Sequence, residues 1–466
     1  MRAGFGALAF YPFLGLAWLV WACLPAGRRA AGLALASLVF VAALGQPWVL
    51  AALAGLALLT WAFGARIAGA PHWGLWGIVA CLGTLIAARV ALAADAGLAL
   101  VGLVGVSYFT LQALSYLADV MLGAEPAAAS PLDLWLYLAW FPKFMQGPFE
   151  RFGTFRQELA RSQAGPRAED LRQGLLLLAW GLFEKVVVAS RMESLSAVTF
   201  GRLDTARAFQ VWGANYGFAA QLFADFSGYT DMARGISLLF GLRLSANFNA
   251  PFLAESVADF WRRWHISLSD WVKDYVFVPL QVWWRDWPLG GTLAALFVAY
   301  ALVGLWHGAG LGFLIAGLLQ ALWMILSLLT RGWRKALWKS AGLERSAWRR
   351  SLDVALTLQL TCLTVLSFKA ADAAGVRAVA AACARGWGAG WWRDLLEGLG
   401  GGKPAGEVAA AWGAVGALVL VHLLGRRIRL LESPAWLRYP SYAALALALL
   451  FFGRYFAATG FLYARF

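Results

Sequence analysis

The chain holds four histidines, His72, His265, His307 and His422, and two of them stand where an imidazole could do chemistry. His307 lies in Leu305-Trp306-His307-Gly308-Ala309-Gly310, at the junction of two apolar runs, where Gly308 and Gly310 are expected to leave room for a ligand. An ionisable group at membrane depth is costly and is a functional candidate for that reason; a helix–helix hydrogen bond is the alternative. His265 lies 42 positions earlier and is followed by Ser267 and Ser269; the alternative there is an interfacial imidazole bonded to backbone. His72, in a short loop, and His422, ending an apolar run beside Arg426-Arg427, read as interfacial or packed rings. Two histidines without a third ligand, and no HxxxH or HExxH spacing, give no reason to expect a metal. There is no GxSxG elbow and no P-loop. What remains is acid–base work: an imidazole titrating near neutrality can take a hydroxyl proton as that oxygen attacks a thioester. Asp225, Asp231, Asn247 and Asn249 precede this region and can orient an imidazole or line a polar path, with capping and turn roles equally open.

The elements that must hold these residues are membrane helices. Of 466 residues, 61% are hydrophobic and 14% charged, too few polar groups to cover a soluble protein of this size. The 26 tryptophans suit bilayer interfaces. Apolar runs near 5–24, 30–46, 47–64, 73–94, 98–121, 173–190, 209–226, 292–306, 310–329, 352–370, 409–425 and 438–456 predict an all-α polytopic membrane protein with 10 to 12 spans. The first run lacks a strong basic flank and a clear cleavage site and is expected to be a retained helix. Residues 132–149 are apolar but broken by Pro142, Gly147 and Pro148 and carry Lys143, so a re-entrant or interfacial segment is expected. Residues 257–265 read as an amphipathic helix, with Phe260, Trp261 and Trp264 on one stripe and arginines beside it. The whole chain, 1–466, reads as one membrane domain: N-terminal helices over 1–96, a core over 97–330 and C-terminal helices over 331–466.

The net charge of +14 comes from short loops such as Arg28-Arg29 and residues 331–350, the pattern of anchors facing anionic membrane lipid. No long basic run is interleaved with aromatics, so nucleic acid is not an expected partner. The four cysteines form no CxxC pair and support neither disulfides nor zinc. The Lys/Arg asymmetry of the loops puts the N-terminus outside, sends residues 151–172, 234–285, 331–350 and 426–438 to the cytoplasm, and leaves the mixed-sign 371–408 loop external.

Phe260-Trp261-Arg262-Arg263-Trp264-His265-Ile266-Ser267-Leu268-Ser269, followed by Asp274-Tyr275, resembles a signature of the bacterial membrane-bound O-acyltransferase family. Leu305-Trp306-His307-Gly308-Ala309 is similar to its second signature. Supporting matches are the run from Ser107 to Tyr116, Phe141-Pro142-Lys143 with Gln146-Gly147-Pro148, the run from Asp225 to Ala233, Asn247-Phe248-Asn249 and the aromatic tail from Phe461 to Phe466. Order and spacing agree from about residue 100 to 325 and more loosely beyond. The subgroup it resembles most is the alginate O-acetyltransferase membrane subunit, with the teichoic-acid D-alanyl transfer protein as a cousin. The resemblance departs after Tyr275: the subgroup's Pro-Leu-Gly-Gly-basic turn is replaced by Pro279-Leu280-Gln281-Val282-Trp283-Trp284, which bears on acceptor or partner preference.

The resemblance implies a fold of helices around a central tunnel, with His307 as the essential residue at its midpoint and His265 assisting. It implies Trp306, Asp225, Asn247, Asn249, Arg262 and Tyr275 as substrate-binding residues. No bound cofactor is expected; the donor is an acyl thioester, acetyl-CoA first, arriving from the cytoplasm. The expected product is an O-acetylated exported polysaccharide, with a periplasmic esterase-like acetyltransferase as partner, in a bacterial inner membrane. D-alanyl transfer from an acyl carrier protein to teichoic acid is the first rival; the arginine-rich, Ala- and Gly-rich composition hints at a GC-rich genome and argues against it. A transporter is the second rival and would show two related halves, which the sequence lacks.

Overall fold

The computed structural model describes residues 9–44, 47–94, 101–308, 310–370, 372–425 and 430–455. Ala309, the basic residues Arg426, Arg427 and Arg429, and the tail from Phe461 to Phe466 lie outside the described residues. The protein is an all-α polytopic membrane protein, 79% helix, with no strand among the described residues. Among the described residues, seven helices are long and apolar enough to cross a membrane: Ala26–Ala43, Pro47–Ile67, Pro288–His307, Leu311–Leu329, Ala347–Lys369, Ala405–Leu424 and Ala435–Phe452. Phe10–Cys23, His72–Ala88 and Ala373–Ala384 are shorter apolar helices. Where its residues are described, each apolar run read from the sequence falls largely on helix. Those near 173–190 and 209–226 fall on Ala168–Phe183, which passes into a π-helical turn at Glu184–Ala189, and on Ala208–Leu239.

The chain forms two compact units. The first comprises Met1–Val186, Asp225–Ala246 and Leu431–Phe466. At its centre is the broken apolar segment. Ser130 and Asp133 form a capping box that starts Pro131–Ala139, and this nine-residue helix is too short to span. The chain then turns through residues 140–150, every one of them buried. Their polar groups find partners inside protein, as irregular backbone at membrane depth requires. Tyr229 Oη donates to the Pro142 carbonyl at 3.0 Å, and Trp140 Nε1 donates to Ser237 Oγ at 2.9 Å. Lys143 donates to Gln112 Oε1 and to the Tyr137 carbonyl, and its ammonium lies 4.9 Å from the Tyr137 ring centre and 5.3 Å from that of Phe155. The segment is broken as expected of residues 132–149, and the contacts do not separate a re-entrant placement from an interfacial one.

A polar knot closes the same unit where Phe152–Ser162 meets Ala168–Phe183. The fully buried Asp170 carboxylate accepts from Arg161 at 2.6 Å, from Arg243 at 2.9 Å and from the Arg167 backbone N–H at 3.0 Å. Burial alone would raise this carboxyl, but the bonds from Arg243, the Arg167 amide and Arg161 outweigh it and hold it below the ordinary aspartate range.

The second unit comprises Val187–Ala224 and Asn247–Leu430. Its frame is the hairpin of Pro288–His307 and Leu311–Leu329, whose backbones approach closely at two glycines. A Cβ on Gly304 would overlap the Phe313 carbonyl, and one on Gly317 would overlap that of Tyr300. The following helix, Arg331–Ser340, sets Arg331, Arg334, Lys335 and Lys339 against the exposed Trp333 and Leu337, a composition suited to the lipid headgroup layer.

Two outcomes follow from these contacts. Gly304→Leu should lower apparent stability in detergent by about 1–3 kcal/mol or more through overpacking, while Gly413→Leu, with open space around it, should be silent. Thermal unfolding of the two purified variants compares them. Asp170→Asn should lose about 1.5–3 kcal/mol at pH 7. Because the native carboxyl titrates below its ordinary value, its contribution is present above that value and is lost as pH falls through the lower one. Scans from pH 7 down to pH 3 should therefore show the wild-type advantage over Asp170→Asn shrinking with acidity.

Candidate active site

The amphipathic segment is not one helix. Ser256 Oγ accepts from the Asp259 N–H and starts Val257–Trp261, but the helix stops there and a second one begins at Ile266. The corrected element is a break centred on His265, which adopts φ 44° and ψ 53°. Among the described residues only His265 and Ala250 are non-glycines with positive φ. Such a conformation costs about 1–3 kcal/mol and persists where the surroundings over-determine it. Aromatic packing supplies part of that determination: Trp264 stacks on Phe260 with ring centres 5.5 Å apart and meets Phe248 edge-on at 5.1 Å. Asp259 accepts from Arg263 Nε at 2.9 Å and ties down the arginine side of the break.

His265 is thereby turned inward, 2% exposed, with its ring centre 6.3 Å from that of Trp306. Trp306 in turn lies 4.9 Å from His307. The two histidines, 42 positions apart in sequence, flank one indole. Burial, and secondly the His307 imidazole, push His265 below the ordinary histidine range, which disfavours its charged form. His307 is half-buried at the end of Pro288–His307, with Phe313 and Phe368 on its other sides at 6.4 and 5.6 Å. The space beside Gly308 is not open as its sequence context suggests. A Cβ there would meet the Phe313 ring at 2.6 Å, so the glycine admits that ring against His307.

Beside the break lies a cleft of about 350 Å³. Arg262, Ser269, Asp270 and Lys273 form its polar side, and Trp261, Leu296, Tyr300 and Val303 its apolar side. Val303 precedes His307 by one helical turn, about 6 Å along the axis, so the cleft runs along the helix that carries His307.

The remaining expected residues divide. Asn247 is buried and bonded to Ser267. Asn249 is exposed, and its backbone N–H donates to the Arg263 carbonyl at 2.9 Å. Tyr275 packs on Trp271 at 5.2 Å. Asp225 belongs to the first unit, where it is buried and ion-paired with Lys185 in the π-helical turn. Of the other histidines, His72 lies against Trp73 and His422 meets the Phe223 ring edge-on at 5.5 Å. Among the described residues no three His, Cys, Asp or Glu side chains gather as a metal-ligand set. Sequence reading passed over Lys185, although a lysine within an apolar run was a usable signal. It also passed over Phe313 and Phe368, which carry no signal beyond hydrophobicity.

The profile of the membrane-bound O-acyltransferase family matches residues 98–344, more than half of the chain and inclusive of both site histidines. The chain belongs to that family. It is 33% identical over 231 residues to the protein named Probable alginate O-acetylase AlgI of Pseudomonas aeruginosa, covering 48% of this chain and 42% of the relative. It is 31% identical over 249 residues to the peptidoglycan O-acetyltransferase of Helicobacter pylori, covering 47% and 46%. It is 28% identical over 236 residues to the teichoic acid D-alanyltransferase of Bacillus subtilis, covering 48% and 58%. The matched stretch spans roughly half the length of these relatives.

The buried Lys185–Asp225 pair of this family member makes a separate prediction. Lys185→Met leaves a buried carboxylate without its cation and should cost about 3–5 kcal/mol, whereas Lys185→Met with Asp225→Asn should recover most of that loss. Apparent melting temperatures of the single and double variants provide the check.

Proposed function

We infer that this protein is an O-acyltransferase whose reacting groups meet at His307. The observation that carries the reading is the convergence of His265 and His307 on Trp306, inside the segment matched by the family profile. In the proposed reaction an acceptor hydroxyl oxygen forms a bond to the acyl carbon of a thioester while the C–S bond breaks. The His307 imidazole takes the hydroxyl proton as the oxygen attacks and returns it to the departing thiolate, so the products are an ester and a thiol. His265, neutral and inward-facing, assists from the donor side by hydrogen bonding. The cleft beside Arg262 and Lys273 supports donor approach: it pairs cations with an apolar wall that ends one turn from His307.

The proposed acyl group is acetyl and the donor acetyl-CoA, on the likeness to relatives named O-acetylase and O-acetyltransferase. The proposed acceptor is an exported polysaccharide, reached through an esterase-like acetyltransferase partner on the outer side of a bacterial inner membrane. The basic loops support this direction, since they place the His265 segment on the cytoplasmic side. D-alanyl transfer rests on the Bacillus relative.

His307→Gln tests the chemistry, because the amide keeps a hydrogen-bonding group of similar reach but cannot cycle a proton. It should lower acyl transfer from labelled thioester by roughly 10²–10⁴-fold at unchanged expression, and His265→Ala should lower it less. A Gln variant working at near the wild-type rate would make His307 structural and revive the transporter reading. For direction, single cysteines placed in 371–408 should react with an impermeant thiol reagent in intact cells, and those in 331–350 should not. The reverse pattern would move the donor to the other face.

A further inference from the structure

His265 starts the helix Ile266–Val272, and the residue in that position ordinarily turns its side chain back to accept from the first free N–H groups of the helix. His265 does not: its side chain makes no capping bond. The first-turn donors are met instead by a residue far back in the chain. The Asn247 carbonyl accepts from the Ile266 N–H at 3.0 Å. The Asn247 Oδ1 accepts from the Ser267 N–H at 3.2 Å and from Ser267 Oγ at 2.6 Å. Two residues along, the Asn249 N–H donates to the Arg263 carbonyl at 2.9 Å, so the break is gripped on both sides of His265.

We propose that Asn247 is a positioning residue that caps the Ile266–Val272 helix in place of His265 and so holds the His265 imidazole toward Trp306. Were the imidazole needed as the cap it would face its own helix terminus, and the left-handed backbone at His265 would lose its main restraint. Asn247 is 1% exposed, which keeps water from replacing its oxygen at these donors. The carboxamide oxygen carries the role; its Nδ2 makes no hydrogen bond. Asp at this position keeps the acceptor and Ala removes it.

The inference rests on the proposed assisting role of His265 only for its kinetic consequence; its structural content is tested without any activity. Full-length protein in detergent micelles is treated with diethyl pyrocarbonate, and modification of each histidine is followed by peptide mass spectrometry. Asn247→Ala should expose His265 and raise its modification rate roughly tenfold or more, with His422 unchanged. Asn247→Asp should stay near wild type, and Ser267→Ala, which removes one of the two Ser267 bonds, should fall between. If Asn247→Ala does not fold, the comparison of Asn247→Asp with Ser267→Ala carries the test. An unchanged His265 rate in Asn247→Ala, or in Ser267→Ala if that variant stands in, would overturn the proposal. Acetyl-CoA turnover then reads the consequence: Asn247→Ala should lower kcat with KM unchanged, and should add no further loss in a His265→Ala background. Multiplying losses would overturn action through His265. A His265→Ala variant at the wild-type rate would instead count against the assisting role, leaving the modification result to decide the positioning.

Discussion

A backbone group shut away from water must be bonded within protein, and this constraint decides where the chain can leave the helix. Two departures matter. Residues 140–150 leave the helix inside the first unit, where Tyr229 bonds the Pro142 carbonyl and Lys143 the Tyr137 carbonyl. Residues 262–267 break the helix inside the second, and Asn247 meets the exposed donors. Non-helical backbone is where a side chain can be aimed independently of helical periodicity. The second break is what swings His265 out of the amphipathic stripe and onto Trp306.

Packing around the pair serves the same end. Small residues let the Pro288–His307 and Leu311–Leu329 backbones close up at Gly304 and Gly317, which brings Phe313 and its carbonyl beside the end of the His307 helix. The Trp306, Phe368 and Phe313 rings lie 4.9, 5.6 and 6.4 Å from His307. These rings leave His307 half-buried at the end of its helix. The family likeness supplies the reaction class, and the arrangement of these rings supports the place proposed for His307 in it.

The helical architecture was legible in the sequence because an apolar run of membrane length has few structural outcomes, and the described parts of the runs are largely helix. The broken segment was legible too, since Pro142, Gly147 and Pro148 cannot sit in a clean span beside Lys143. Both site histidines stood out by rarity and context. The break at His265 did not, because Phe260, Trp261 and Trp264 keep helical spacing, and the bonds that start the next helix come from Asn247, eighteen positions upstream of His265. A long-range cap leaves no local pattern. Gly308 misled for a related reason: a glycine marks close approach but not by what, and here the approaching group is Phe313. Asp225 stood in a recognisable motif, yet its partner Lys185 is set by helix packing that composition does not reveal.

The central claim is that a thioester's acyl end reaches the indole-centred histidine pair. It is tested most directly with a non-cleavable acetyl-CoA analogue, carbon in place of the thioester sulfur, bearing a small photoreactive group at the acyl end. After irradiation of the purified protein in lipid, cross-linked peptides are mapped by mass spectrometry. Adducts are expected within residues 261–275 and 303–313, suppressed by excess acetyl-CoA. Adducts confined to other regions, such as the apolar cavity lined by Trp412 and His422, would contradict it.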